Sequence, residues 1–168
     1  MVADPLPSKF GIILFPGFQL LDAMGPLDAF HLLSNSHTLS LSILAATLDP
    51  VPTQTWVQDD QGSQFSQSIV PTHTFANAPQ DLDMILLPGG LGARGPKGEE
   101  NTGPVVDFLK GLDLSGNGSI KWFLTVCTGS EILARTGLLD NRKATTNKRA
   151  FNDVSLCLPR LSSFDPLN

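Results

Sequence analysis

Three short apolar runs constrain this chain more than anything else in it. They are FGIILF (10–15), MILLP (84–88) and IKWFLTV (120–126), and each runs straight into a turn of small or rigid residues. Apolar runs this short and this continuous suit strands buried on both faces, the condition of a parallel sheet. Helical patterns lie between them. Residues 19–33 (QLLDAMGPLDAFHLL) carry Pro26, suited to a first helical turn, then a stripe of Leu27, Phe30 and Leu33 or His31. In NTGPVVDFLKGL (101–112) a polar cap and Pro104 precede Val105, Phe108, Leu109 and Leu112 at i, i+3, i+4, i+7. TGSEILARTG (128–137) reads as a third helix, stopped by Gly137. Strands alternating with helices predict an α/β chain with a mainly parallel sheet.

The remaining segments are weaker. LSLSILAAT (39–47) alternates Leu39, Leu41, Ile43 and Ala45 and reads as a strand. TWVQDDQGSQFSQSIV (55–70) reads as a hairpin with its turn near 59–62. LGARGPKGEENTG (91–103) reads as a polar, glycine-rich loop, KATT (143–146) as a short strand, and NKRAFNDV (147–154) as a helix start. SLCLPRLSSFDPLN (155–168) has no clean period, so residues 1–154 are expected to form the domain and 155–168 a divergent tail. No internal repeat or low-complexity segment stands out.

A chain of 168 residues, 41% hydrophobic and 16% charged, is of single-domain size with an ordinary globular balance. Its net charge of −5 argues against nucleic acid and anionic membrane as partners. The one basic cluster, NRKATTNKR (141–149), reads as a solvated loop and helix start. Asp4, Pro5 and Pro7 stand where a signal peptide would carry positive charge, and the run after them is broken by Pro16. Neither a signal peptide nor a membrane span is read there, and a cytoplasmic protein with reduced thiols is expected. Cys127 and Cys157 lack metal-ligand spacing, and no metal site is expected.

In open α/β sheets, sites form beyond the C-terminal ends of the strands. Three chemically distinctive points fall there: Asp22 after the first run, Gly89-Gly90 after the second and Cys127 after the third. Cys127 would occupy a sharp strand-to-helix turn, a cysteine form of the nucleophile elbow. The helix behind it aims free N–H groups and a positive dipole end at the sulfur, which favours the reactive thiolate. Position alone leaves two roles open, a nucleophile or a small buried hydrophobe. Asp22 is equally open between general acid/base and helix cap. Gly89 and Gly90 fit either an anion pocket of backbone N–H groups or a plain tight turn. His31, His37 and His73 occupy no expected base position, and Cys157, Trp56 and the serine-rich patches carry no specific signal.

Together the segments GIILFPGFQLLDAMGPLDAF, APQDLDMILLPGGLGAR and TVCTGSEILARTGLLDNRKATTNKRAF resemble the ThiJ/PfpI superfamily, over roughly residues 9–154. With Asp in FPGFQLLDAMGP, the resemblance points to the isocyanide-hydratase-like branch, which also resembles sensor domains of AraC-type regulators. It implies a flavodoxin-like three-layer sandwich (class I glutamine-amidotransferase-like), often a homodimer, without cofactor and acting on a small molecule. Carried over by motif, Cys127 is the nucleophile, Asp22 the general acid/base, and Thr128, Gly89 and Gly90 position the thiolate or substrate. Many members have His after the ATT strand where this chain has Asn147, which counts against a Cys-His mechanism. The family continues past this point with a further strand and helix, which the last residues here do not match. Three readings follow: a hydratase giving an N-substituted formamide, a non-enzymatic redox or ligand sensor through Cys127, and a catalytically impaired truncated member.

Overall fold

The computed structural model describes residues 6–113 and 118–152, together with the backbone of 163–164. The first apolar run forms β1 (Lys9–Ile13), and α1 (Leu20–Leu33) follows it. β2 (Ser40–Ala45), β3 (Val51–Pro52), α2 (Trp56–Asp60), β4 (Ser68–Ile69) and β5 (His73–Thr74) come next. β6 (Met84–Leu87), α3 (Gly98–Lys110), β7 (Trp122–Thr125), α4 (Gly129–Ala134) and the two-residue β8 (Lys143–Ala144) complete the core of the chain. Ser163–Phe164 (β9) pairs with β8.

One five-stranded sheet runs β5-β2-β1-β6-β7, and every pairing in it is parallel. The chain steps from β1 to β2 in one direction, then returns to the other side of β1 as β6 and continues outward to β7. Right-handed crossovers running in opposite directions place α1 and α3 on opposite faces, which makes three layers. They also leave a crevice at the C-terminal ends of β1 and β6, where the strand order reverses. The core is built from the two central strands: Ile12, Ile13, Leu14 and Phe15 from one side, Ile85, Leu86 and Leu87 from the other, with Leu44, Val105, Leu109 and Ile132 closing over them. These strands read as unbroken apolar runs because both of their faces are covered. At the edge, β7 is less covered: Trp122 is 47% exposed and its neighbours are half-buried.

Three sequence expectations need correction. Pro26 lies inside α1, which begins at Leu20, so Asp22 sits in the helix's first turn rather than between strand and helix. The helix forgoes one bond, because proline cannot donate to the carbonyl of residue 22. α3 begins at Gly98 within the segment read as a loop, with Glu99 and Glu100 placed where the helix dipole favours negative charge. Pro104 is thus interior too. The same segment holds a short 3-10 turn, Leu91–Ala93. The expected 55–70 hairpin is a helix and a short antiparallel pair: Val51 opposes Ile69, and α2 fills the space between. Thr55 Oγ1 accepts from the Gln58 N–H at 3.4 Å, and Gln58 Oε1 accepts from the Thr55 N–H at 3.0 Å. This is the reciprocal cap that the spacing T-x-x-Q encodes. The expected helix start in 147–154 is present: a 3-10 turn, Lys148–Ala150, leads into helical residues 151 and 152. The tail from 155, with Cys157, lies outside the described residues apart from the backbone of β9.

Candidate active site

The site gathers at that crevice. Cys127 follows β7 and holds φ at +55°, in the left-handed region that a residue with a side chain rarely adopts. Val126 N–H still bonds to Leu87 O at 3.1 Å, and the Gly129 N–H turns back to Val126 O at 2.9 Å. The chain therefore leaves the strand and enters α4 within two residues, and the sulfur is pushed out at the bend. Strain of this kind persists where the surrounding contacts over-determine the backbone. Here Ser130 Oγ and Thr146 Oγ1 both donate to the Cys127 carbonyl, at 3.3 and 3.4 Å.

Asp22 reaches the same place from α1. Its Oδ2 accepts from the Gly89 N–H at 3.3 Å, and the Cys127 thiol is within hydrogen-bonding reach of the carboxylate. Partial burial raises the Asp22 carboxyl above its usual range, while the bonds from Gly89 and Cys127 pull the other way. A carboxylate raised in this way is a better base for a thiol proton than an exposed one.

Thr128 is fully buried, and its Oγ1 accepts from the Gly90 N–H at 3.2 Å. Both glycine N–H groups are thus engaged, Gly89 on Asp22 and Gly90 on Thr128. They hold two side chains of the site in place rather than standing as free donors for a bound anion. The Gln19 N–H bonds to Gly89 O at 2.8 Å, and the Gly92 N–H bonds to Gly17 O at 2.9 Å, so the turns after β1 and β6 are stitched together.

One residue enters that its expected role did not foresee. Asn147 Nδ2 donates to Cys127 Sγ at 3.1 Å. Its position after the KATT strand had marked only the lack of a histidine. None of the three histidines is at the site: His31 lines a cavity with Phe10 at the opposite end of β1, His37 bonds Ser36, and His73 bonds Thr72 beside β5. Among the described residues no group of three His, Cys, Asp or Glu side chains comes together as a metal site would require.

Fold and site together define a parallel, three-layer α/β protein with a cysteine elbow at the sheet's switch point, faced by a carboxylate and an amide. The chain belongs to the DJ-1/PfpI family, whose model matches residues 8–157. It is 33% identical over 155 residues to isonitrile hydratase from Pseudomonas putida, covering 92% of this chain and 57% of that protein. The chain thus spans little more than half the length of that relative. Among solved structures it is similar to a ThiJ/PfpI family protein from Pseudomonas syringae, at 29% identity and a TM-score of 0.59, covering 84% of this chain and 50% of that one. An AraC family transcriptional regulator from Pseudomonas putida shares the fold at 19% identity and a TM-score of 0.68, covering 96% of this chain and 77% of that one. No helix among the described residues is long and apolar enough to cross a membrane.

Proposed function

We propose that this protein is a cysteine-dependent hydratase that adds water to a small isocyanide and releases an N-substituted formamide. The observation that carries the reading is the partner of the elbow cysteine: a carboxylate, Asp22, with no imidazole near it. The similarity to an isonitrile hydratase supports the same substrate class.

The chemistry follows from the side chains. Asp22 takes the Cys127 proton, and the thiolate bonds to the terminal carbon of R–N≡C. That carbon then receives the proton back from Asp22, giving the thioimidate Cys–S–CH=N–R. Asp22, ionised again, removes a proton from water as the water oxygen adds to the same carbon, and passes that proton to the nitrogen. Collapse of this adduct breaks the C–S bond and returns the electron pair to sulfur; the hydroxyl proton passes through Asp22 to that sulfur, and R–NH–CHO is freed. The sum is one isocyanide and one water giving one formamide, with Cys127 and Asp22 regenerated.

The test is turnover of a panel of alkyl and aryl isocyanides in heavy-oxygen water, read by mass spectrometry. The reading predicts formamide carrying the solvent oxygen at a rate well above buffer. Formamide at the buffer rate across the panel, from protein that melts cooperatively, would overturn it.

A further inference from the structure

Hydration through a thioimidate asks two things of one sulfur. It must carry charge to attack, and it must accept charge again when it leaves. We propose that Asn147 is the catalytic hydrogen-bond donor that serves both steps, as a neutral N–H held against Cys127 Sγ throughout the cycle. The leaving-group half of this role rests on the hydratase reading; the thiolate half does not.

The geometry fixes the amide's direction. Asn147 Oδ1 accepts from the Arg149 N–H at 2.9 Å, so the NH₂ end is the one that faces the sulfur at 3.1 Å. The neighbouring Thr146 hydroxyl donates to the Cys127 carbonyl, so the 146–147 segment grips both the backbone and the sulfur of the elbow. The same thiol is also a hydrogen-bond partner of Asp22. The thiol can therefore give its proton to the carboxylate while the amide meets the charge left behind. A neutral amide neither takes that proton nor competes for it, which leaves Asp22 as the receiver. Hydrogen bonds to a charged atom are stronger than those to a neutral one. Asn147 thus stabilises the thiolate more than the thiol, and the departing sulfur more than the bonded one.

Two variants separate this donor role from a role in shape. Asn147→Asp keeps the size and the acceptor for the Arg149 N–H, but presents an oxygen to the sulfur. Asn147→Ala removes the group. The readout is iodoacetamide alkylation of Cys127, followed by peptide mass spectrometry with Cys157 as internal reference. At pH about 7, alkylation of Cys127 should slow about tenfold in the alanine variant and further in the aspartate variant. At pH about 10, where thiols are ionised in any case, the gap to wild type should close. Wild-type rates at neutral pH in both variants would overturn the proposal. So would a loss that persists at alkaline pH, since that marks a collapsed site. If alkylation follows the expected pattern while wild type hydrates no isocyanide, the thiolate donor stands and the hydratase reading falls.

Discussion

A Cβ placed on Gly89 would stand 2.5 Å from the backbone nitrogen of Thr128 and 3.1 Å from Asp22 Oδ2. The turn after β6 is packed backbone to backbone against the elbow after β7, and the acid from α1 closes the same contact. Three elements distant in sequence meet where one residue has no side chain. Gly89→Ala should cost about 1–3 kcal/mol of stability and separate Asp22 from Cys127. A chemical denaturation curve and the neutral-pH alkylation rate of Cys127 check both halves; a variant with wild-type values would mean the turn can shift freely.

Thr128 lends the elbow a buried hydroxyl, and its partner is the Gly90 N–H. Thr128→Val keeps the shape and leaves that N–H without an acceptor, at a cost of about 1–3 kcal/mol. Thr128→Ser keeps the hydroxyl and should recover most of the loss. Equal stability of the valine and serine variants would show that the bond contributes nothing.

The backbone of Cys127 sits at φ +55°. Alanine keeps that strain, and glycine releases it. Cys127→Gly should therefore be more stable than Cys127→Ala by about 1 kcal/mol, the reverse of their order in ordinary backbone. Denaturant midpoints of the two variants decide it, and a more stable alanine variant would show that the elbow relaxes without its sulfur.

Because burial raises the Asp22 carboxyl, the folded state holds a proton there that the unfolded chain has released. Stability contributed by this group is therefore greatest below the ordinary carboxylate value. It falls as pH rises toward the raised value and is flat above it. Asn cannot titrate, so Asp22→Asn should flatten the melting temperature across the mildly acidic range. At neutral pH it should melt no lower than wild type, while hydration is lost. A variant that melts several degrees lower at neutral pH would show that the carboxylate stabilises the fold instead.

Much of the sheet was legible because β1 and β6 are covered on both faces and so had to be apolar throughout. The positions of Asp22, Gly89, Gly90 and Cys127 were legible too, since each follows a strand that could be read. Helix starts were not. Pro26 and Pro104 read as first-turn residues, yet α1 and α3 start six residues before each, because packing against the sheet outweighs the loss of one backbone bond. The Thr55–Gln58 cap was written in the sequence but lay under a pattern that also suits a hairpin. Asn147 was read only for what it is not. Its bond to the sulfur depends on how an irregular turn after a two-residue strand folds back, and no periodicity encodes that.

The central claim is that Cys127 is the nucleophile for isocyanide hydration. The most direct measurement is the rate of formamide production by Cys127→Ala beside wild type, on the best isocyanide of the panel and with both proteins shown to be folded. The account predicts that wild type turns over and that the alanine variant falls to the buffer rate. Turnover retained by the alanine variant would contradict it.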